Sequence, residues 1–205
     1  FVAVEEAVNE LKAKLYEPDA SSTRRELPFI DFAKCNEGFM DASQVQYVAR
    51  AGNYVAHGYE YHGALKILKV IMGYDYLWTN IRVKGGAYGC MNGYMRNGDT
   101  YFVSYRDPNL TATNEVYEHI TDYVGAFDAD ERDMTKYIIG TISDMDIPLN
   151  PSAKGARSMT AYLQELTYDD LQKEREQIID ATAEDIRALK DLLASVLLDE
   201  AICVI

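Results

Sequence analysis

The sequence predicts an α+β domain: an antiparallel or mixed β-sheet with helices packed mainly on one of its faces. Three observations carry this. Gln44-Val-Gln-Tyr-Val48 alternates polar and apolar side chains, as a half-buried strand does. Tyr88–Tyr94 and Thr100–Tyr105 are strand-like runs joined by Arg96-Asn-Gly-Asp99, and an Asn-Gly pair between such runs is a strong hairpin signal. The rest of the chain is dominated by apolar residues at helical spacing, and strands followed by a run of helices point to an α+β layer.

In chain order, Val4, Val8, Leu11 and Leu15 repeat at three and four residues, predicting an amphipathic helix that ends before Pro18. Glu17–Glu26 is small and charged, a linker, so the expected division is residues 1–26, helix and linker, and 27–205, the main domain. A strand is expected within Ser43–Ala56. A helix follows over about Tyr61–Ile81, with Leu65, Leu68, Ile71 or Met72 and Leu77 in period and Gly85-Gly86 as its end. After the hairpin, Val116, Ile120, Val124 and Phe127 predict one helix, and Met134, Tyr137, Ile138 and Ile142 another. A single helix is expected around Ser158–Ile179, its charged run Gln172–Gln177 forming a solvated face. Thr182, three residues before Asp185, predicts the N-cap of a last helix carrying Ile186, Leu189, Leu193 and Leu197. Ala201–Ile205 is strand-like. A start at Phe1 and a stop in such a run give the expectation of a fragment of a longer protein.

Composition narrows the function. At 205 residues and 48% hydrophobic content the chain can bury one ordinary core. A net charge of −13, from 33 acidic and 20 basic residues, argues against nucleic acid and an anionic membrane surface as partners. Cys35, Cys90 and Cys203 are dispersed and form no C-x-x-C pair, so neither a disulfide framework nor a sulfur-ligated metal is suggested, and cytoplasmic residence is the default.

Chemistry-bearing residues are few. His57-Gly-Tyr-Glu-Tyr-His62 brings two imidazoles and Glu60 together, but five residues separate the imidazoles where one helix face needs three or four, so no metal site is expected. His119 reads as a surface residue, and Ser104, Cys90 and Ser158 lack a nucleophile elbow. Gly85-Gly-Ala-Tyr-Gly89 lacks the ending of a phosphate loop. Arg82 and Tyr88 stand out: a fork of N–H donors and a phenolic O–H, six residues apart around Gly85 and Gly86, whose missing Cβ atoms permit close backbone approach. Such a segment suits a peptide carbonyl or an anion. Arg106-Asp-Pro-Asn109 reads as a stabilising turn, with a lesser claim to a substrate role for Arg106.

The segment Asn80-Ile-Arg-Val-Lys-Gly-Gly-Ala-Tyr-Gly89, with Gly58-Tyr-Glu-Tyr-His-Gly-Ala-Leu65 before it and Tyr101-Phe-Val-Ser-Tyr-Arg-Asp-Pro-Asn109 after it, resembles the pitrilysin/insulinase family of zinc metallopeptidases, in its presequence-protease branch. Asn36-Glu-Gly38, Gln44–Val48, Asp130-Glu-Arg-Asp133 and Thr182-Ala-Glu-Asp-Ile186 extend the match from about Leu27 to the end. The resemblance is to the far C-terminal domain. It implies a pitrilysin-type fold, peptide substrates, and the N-terminal half of the same polypeptide as partner. The inverted zinc motif His-x-x-Glu-His is absent from these residues, so zinc would be bound in the parent protein outside this chain, and the chain alone should be inert. The resemblance further implies that Arg82 and Tyr88 hold the scissile carbonyl and developing oxyanion, with Gly85 and Gly86 beside them as substrate contacts. The alternative is a catalytically silent structural domain of the same fold. Self-association of the fragment is expected where its surface would face the missing half.

Overall fold

A computed structural model of the chain describes residues 1–15 and 42–205. The chain divides into two compact units, Phe1–Glu37 and Gly38–Ile205. In the first, α1 (Val2–Lys14) places Val4, Val8 and Leu11 along one face, and Lys14 pairs with Glu10 at 2.7 Å, one turn back. The linker Glu17–Glu26, the division at residues 26 and 27, and the Asn36–Gly38 block lie outside the described residues.

The second unit is built on one four-stranded sheet in the order β2-β3-β1-β4, comprising β1 (Gln46–Asn53), β2 (Gly89–Tyr94), β3 (Asp99–Asp107) and β4 (Ala201–Val204). Every pairing is antiparallel, which settles the mixed alternative. The β2–β3 hairpin turns at Asn97-Gly98, where Gly98 adopts φ 96°, a left-handed value open to glycine. β4 pairs with β1, matching Ala49 to Cys203 and Arg50 to Ile202.

Alternation assigns the sheet's two faces. Val48, Arg50, Phe102 and Ser104 point into the helical layer and are buried, while Tyr47, at 50% exposure, lies on the other face. Against the inner face runs α2 (Ala64–Ile71), which is buried nearly all round: Leu65, Ile67, Leu68 and Ile71 are fully inaccessible, leaving only the Lys66–Lys69 side toward solvent. The sequence predicts an ordinary helix to about Ile81. Instead the chain continues beyond Ile71 in wider π-helical turns, Met72–Tyr76 and Trp78–Lys84, and ends at Gly85. Periodicity of three and four residues does not distinguish the two windings over so short a run.

Three predicted helices are broken. Val116–Phe127 is divided into α3 (Thr111–Glu118) and α4 (Ile120–Gly125) at His119. Ser158–Ile179 is divided into α6 (Pro151–Leu163) and α7 (Tyr168–Ile179), because Glu165 adopts φ 56° and Thr167 starts a fresh helix through a reciprocal capping box with Asp170. α5 (Glu131–Met145) forms as expected, its N-cap Asp130 accepting from the Asp133 amide at 2.8 Å. Thr182 caps α8 (Ala183–Arg187), again in a reciprocal box with Asp185, but the helix expected to run on through Leu197 is interrupted at Ala188 and Leu189, so Ile186 lies on α8 while Leu193 and Leu197 lie on α9 (Lys190–Leu197). α9 packs so closely on β1 that a Cβ on Gly52 would lie 2.3 Å from the Val196 carbonyl oxygen. Among the described residues no helix is long and apolar enough to cross a membrane.

Candidate functional site

Arg82 projects from the last wide turn, and Tyr88 stands just before β2, so the six-residue spacing spans a helix end and a strand start. The turn between them is glycine-dependent. Gly86 has φ 80°, and a Cβ on Gly85 would sit 2.5 Å from the Ile81 carbonyl oxygen. The backbone then closes on itself, with the Gly86 amide donating to the Arg82 carbonyl at 3.0 Å and the Ala87 amide to the Ile81 carbonyl at 3.1 Å.

The two side chains lie together. The Arg82 guanidinium carbon is 4.0 Å from the centroid of the Trp78 ring, one helical turn earlier, and 5.9 Å from that of Tyr88. The Arg106 guanidinium carbon lies 5.8 Å from the same Tyr88 ring, so two cations attend one phenol. Tyr88 makes an edge contact with Tyr105 at 5.2 Å, and Tyr105 meets Tyr47 at 5.7 Å, continuing an aromatic line across the sheet. Neither Arg82 nor Arg106 pairs with a carboxylate among the described residues, and Tyr88 remains 58% exposed. Arg82 is exposed and is held by stacking on Trp78 and by its approach to Tyr88. Its charge also reaches Cys90, whose thiol burial pushes up while Arg82 pulls it down.

Arg106-Asp-Pro-Asn109 proves to be the mount of this site. Asp107 is fully buried; one of its oxygens accepts the Asn109 amide at 2.8 Å, and the other accepts the Thr113 hydroxyl at 2.6 Å. The Asn109 side-chain amide donates to the Gly85 carbonyl, and the Tyr88 amide donates to the Arg106 carbonyl at 3.3 Å. Arg106 itself has φ 49°, a value non-glycine residues adopt at some cost. Sequence reasoning missed Trp78, Tyr105 and Asn109 as parts of the site. Of these, Trp78 left a signal in its spacing of four residues from Arg82 on a helical run, and Asn109 lay in a turn already read as such, but nothing local tied that turn to Gly85.

The histidines are engaged elsewhere. His57 Nε2 is 2.7 Å from Asp199 Oδ1, whereas His62 Nδ1 accepts the Ala64 amide at 3.2 Å at the start of α2. Glu60 is exposed, and among the described residues no group of three His, Cys, Asp or Glu side chains is placed to hold a metal ion. His119 contacts Asp122 at 2.9 Å, a hydrogen bond that raises the imidazole's proton affinity.

Comparison with known proteins gives a consistent picture. Residues 36–205 match the family model of the PreP C-terminal domain. Protein HypA of Clostridium perfringens (strain 13 / Type A) is 49% identical over 175 residues, 85% of this chain and 18% of that protein. Presequence protease 1, chloroplastic/mitochondrial, of Arabidopsis thaliana is 36% identical over 153 residues, 74% of this chain and 14% of that protein. The chain thus spans less than a fifth of the length of these relatives. Among solved structures, a protease from Helicobacter pylori aligns with a TM-score of 0.61 at 15% identity, covering 80% of this chain and 41% of that one. A peptidase M16 inactive domain from Pseudomonas fluorescens aligns with a TM-score of 0.55 at 14% identity, covering 73% and 38%. These likenesses show the fold.

Proposed function

Because the chain belongs to the PreP C-terminal domain family, we propose that it is the non-zinc-binding C-terminal domain of a zinc metalloendopeptidase that degrades unfolded peptides. In this reading it closes a chamber formed with the N-terminal half of the same polypeptide. The zinc belongs to that other half. The described residues do not suit it, since His57 and His62 are committed to Asp199 and to the α2 backbone, in separate places.

The observation that carries the reading is the pairing of Arg82, with no carboxylate partner among the described residues, and the exposed Tyr88 on a braced glycine turn. Donors fixed before substrate arrives need no reorganisation when negative charge develops on a carbonyl oxygen, and one such donor is worth about 3–4 kcal/mol in a water-poor site. Arg82 supplies charge and a planar fork, and Tyr88 a single O–H on a ring that rests edge-on against Tyr105. Gly85 and Gly86 keep the backbone low enough for an extended peptide to pass beside them. Cytoplasmic residence remains the working expectation, checked by fractionating cells that express the parent protein.

The test is cleavage of a quenched fluorescent peptide by the full-length parent, comparing wild type with Arg82→Ala and Tyr88→Phe. A fall of at least about tenfold in kcat/KM with unchanged folding is expected of each. Unaltered cleavage in both variants would reduce the domain to a chamber wall. Absence of cleavage by the wild-type parent would favour the silent structural domain.

A further inference from the structure

A second concavity, of about 930 Å³, lies between the β2–β3 turn and helices α2, α5, α6 and α7, and shares no residue with the Arg82–Tyr88 site. Its charge runs against that of the chain. Lys66, Lys69, Arg96, Lys154 and Arg157 line it, opposed by Asp144 and Glu174 alone, in a protein with 33 acidic and 20 basic residues. A quarter of all the basic residues therefore face one cavity, leaving it an excess of three positive charges.

Part of this charge is fixed in place. Glu174, only 4% exposed, accepts the Tyr61 hydroxyl at 2.8 Å and also binds Arg96 and, at 3.3 Å, Lys66. One carboxylate thus serves two cations. Arg96 is further held over the Tyr61 ring, its guanidinium carbon 4.6 Å from the centroid, with donors left over beyond the one Glu174 takes. Among the described residues Arg157 donates only to the Met145 carbonyl, at 3.3 Å. Lys69 and Lys154 are exposed and make no ion pair among the described residues. Between the cations the lining is mixed: Val70, Met145, Leu171, Tyr94 and Tyr101 give an apolar and aromatic wall, and Thr141, Ser158, Thr160 and Gln164 add polar groups. The Tyr101 ring lies directly over Gly93, where a Cβ would come within 2.5 Å of it.

We propose that this cavity binds a small amphipathic organic polyanion, with an aromatic or aliphatic body and two or more acidic groups. The apolar wall takes the body, and Arg96, Lys69 and Lys154 take the acidic oxygens. The size fits, since small-molecule sites span roughly 300–1,000 Å³ and combine an apolar lining with a few placed polar groups. The positive excess supplies a local attraction for anions against the chain's overall negative charge. Carboxylate and phosphate groups satisfy the same chemistry, and the experiment separates them.

Isothermal titration of the 205-residue chain with ATP and with the tripeptide Ac-Phe-Glu-Glu tests this, with neutral 2-phenylethanol as control. Saturable binding of at least one anion is expected, at about millimolar affinity or tighter, with none of the alcohol. Binding of ATP alone assigns a phosphate-headed ligand, and of the tripeptide alone a carboxylate-headed one. The double charge reversal Lys69→Glu/Lys154→Glu should weaken binding at least about tenfold while leaving the melting temperature unchanged, because both residues are exposed and unpaired. No saturable binding of either anion, or binding indifferent to the reversal, would overturn the proposal. Circular dichroism of the variant shows that any loss arises from charge and not from unfolding.

Discussion

Glu174→Gln should be among the most destabilising single-atom-scale changes in the described fold. The glutamine keeps the shape and one acceptor for Tyr61, but it removes the charge that compensates Lys66 and Arg96 at a position only 4% exposed. The Arg96 contact is charge-assisted with that side chain 30% exposed, and losing it costs about 1.5–3 kcal/mol. The Lys66 pair, at 3.3 Å with the lysine 40% exposed, adds less than about 1 kcal/mol. The Tyr61 bond falls from a charged to a neutral hydrogen bond, costing about 1 kcal/mol more. With overlap, the sum is about 3–4 kcal/mol, in the range of broken buried ion pairs. For a domain of this size that is a fall of about 10 °C in Tm. Urea denaturation followed by circular dichroism measures the free energy, and an unchanged slope shows that the unfolded state is the same. A second arm pairs the change with Arg96→Met, which removes a cation left without its counterion. The double variant should recover at least about 1 kcal/mol relative to additivity. A loss below about 1 kcal/mol in Glu174→Gln would refute the reasoning, because the carboxylate would then be compensating nothing.

Gly52→Ala forces a Cβ to 2.3 Å from the Val196 carbonyl oxygen, a backbone atom, and thermal unfolding should show a loss of about 1–3 kcal/mol. Thr182→Ala removes the reciprocal cap of α8 and should cost about 0.5–2 kcal/mol in the same assay. Asn109→Ala frees the Gly85 carbonyl. Hydrogen exchange at Gly86 and Ala87 should accelerate, and kcat/KM of the full-length parent should fall with Arg82 and Tyr88 still present. Burial pushes the hydroxyls of Tyr54 and Tyr76 from 10 up to about 12. A raised value means the fold favours the neutral form, so this contribution is complete below pH 10 and is lost as pH climbs through about 12. Alkaline titration should therefore show tyrosinate absorbance and loss of helix rising together in that window, and ionisation of all tyrosines near pH 10 with the helices intact would contradict it.

What the sequence revealed depended on whether a signal was local. The hairpin at Asn97-Gly98 and the cap at Thr182 are written in two to four adjacent residues, and both form as read. The break between α6 and α7 was also written locally, in Thr167-x-x-Asp170, but the charged run after it masked the cap. The break at His119 has no glycine or proline to announce it. Ala201–Ile205 read as a strand, whereas its place beside β1 joins residues about 150 apart and is set by packing of α9 under the sheet. Arg82 and Tyr88 were legible as a pair because they flank two glycines. Their aromatic company was not, since Tyr105 and Tyr47 arrive on other strands.

The mount of that pair explains how a domain whose described residues bring together no three metal-ligating side chains would, in the proposed role, contribute to a reaction. Asp107 sits at the buried end of β3 and holds Asn109, which holds Gly85; the neighbouring carbonyl of Arg106 holds Tyr88. Each link is a hydrogen bond to backbone, so the helix end and the strand start are fixed to one another before any peptide arrives. The wide turns from Trp78 to Lys84 and the positive φ of Arg106 are departures from unstrained geometry at this same place, and departures of this kind persist only where the surrounding structure enforces them. In the proposed role the fold of this chain supplies that enforcement, and the binding of substrate does not have to. The chain can then be inert alone and still matter to kcat, because its donors would be held ready for a charge that develops only when the other half acts.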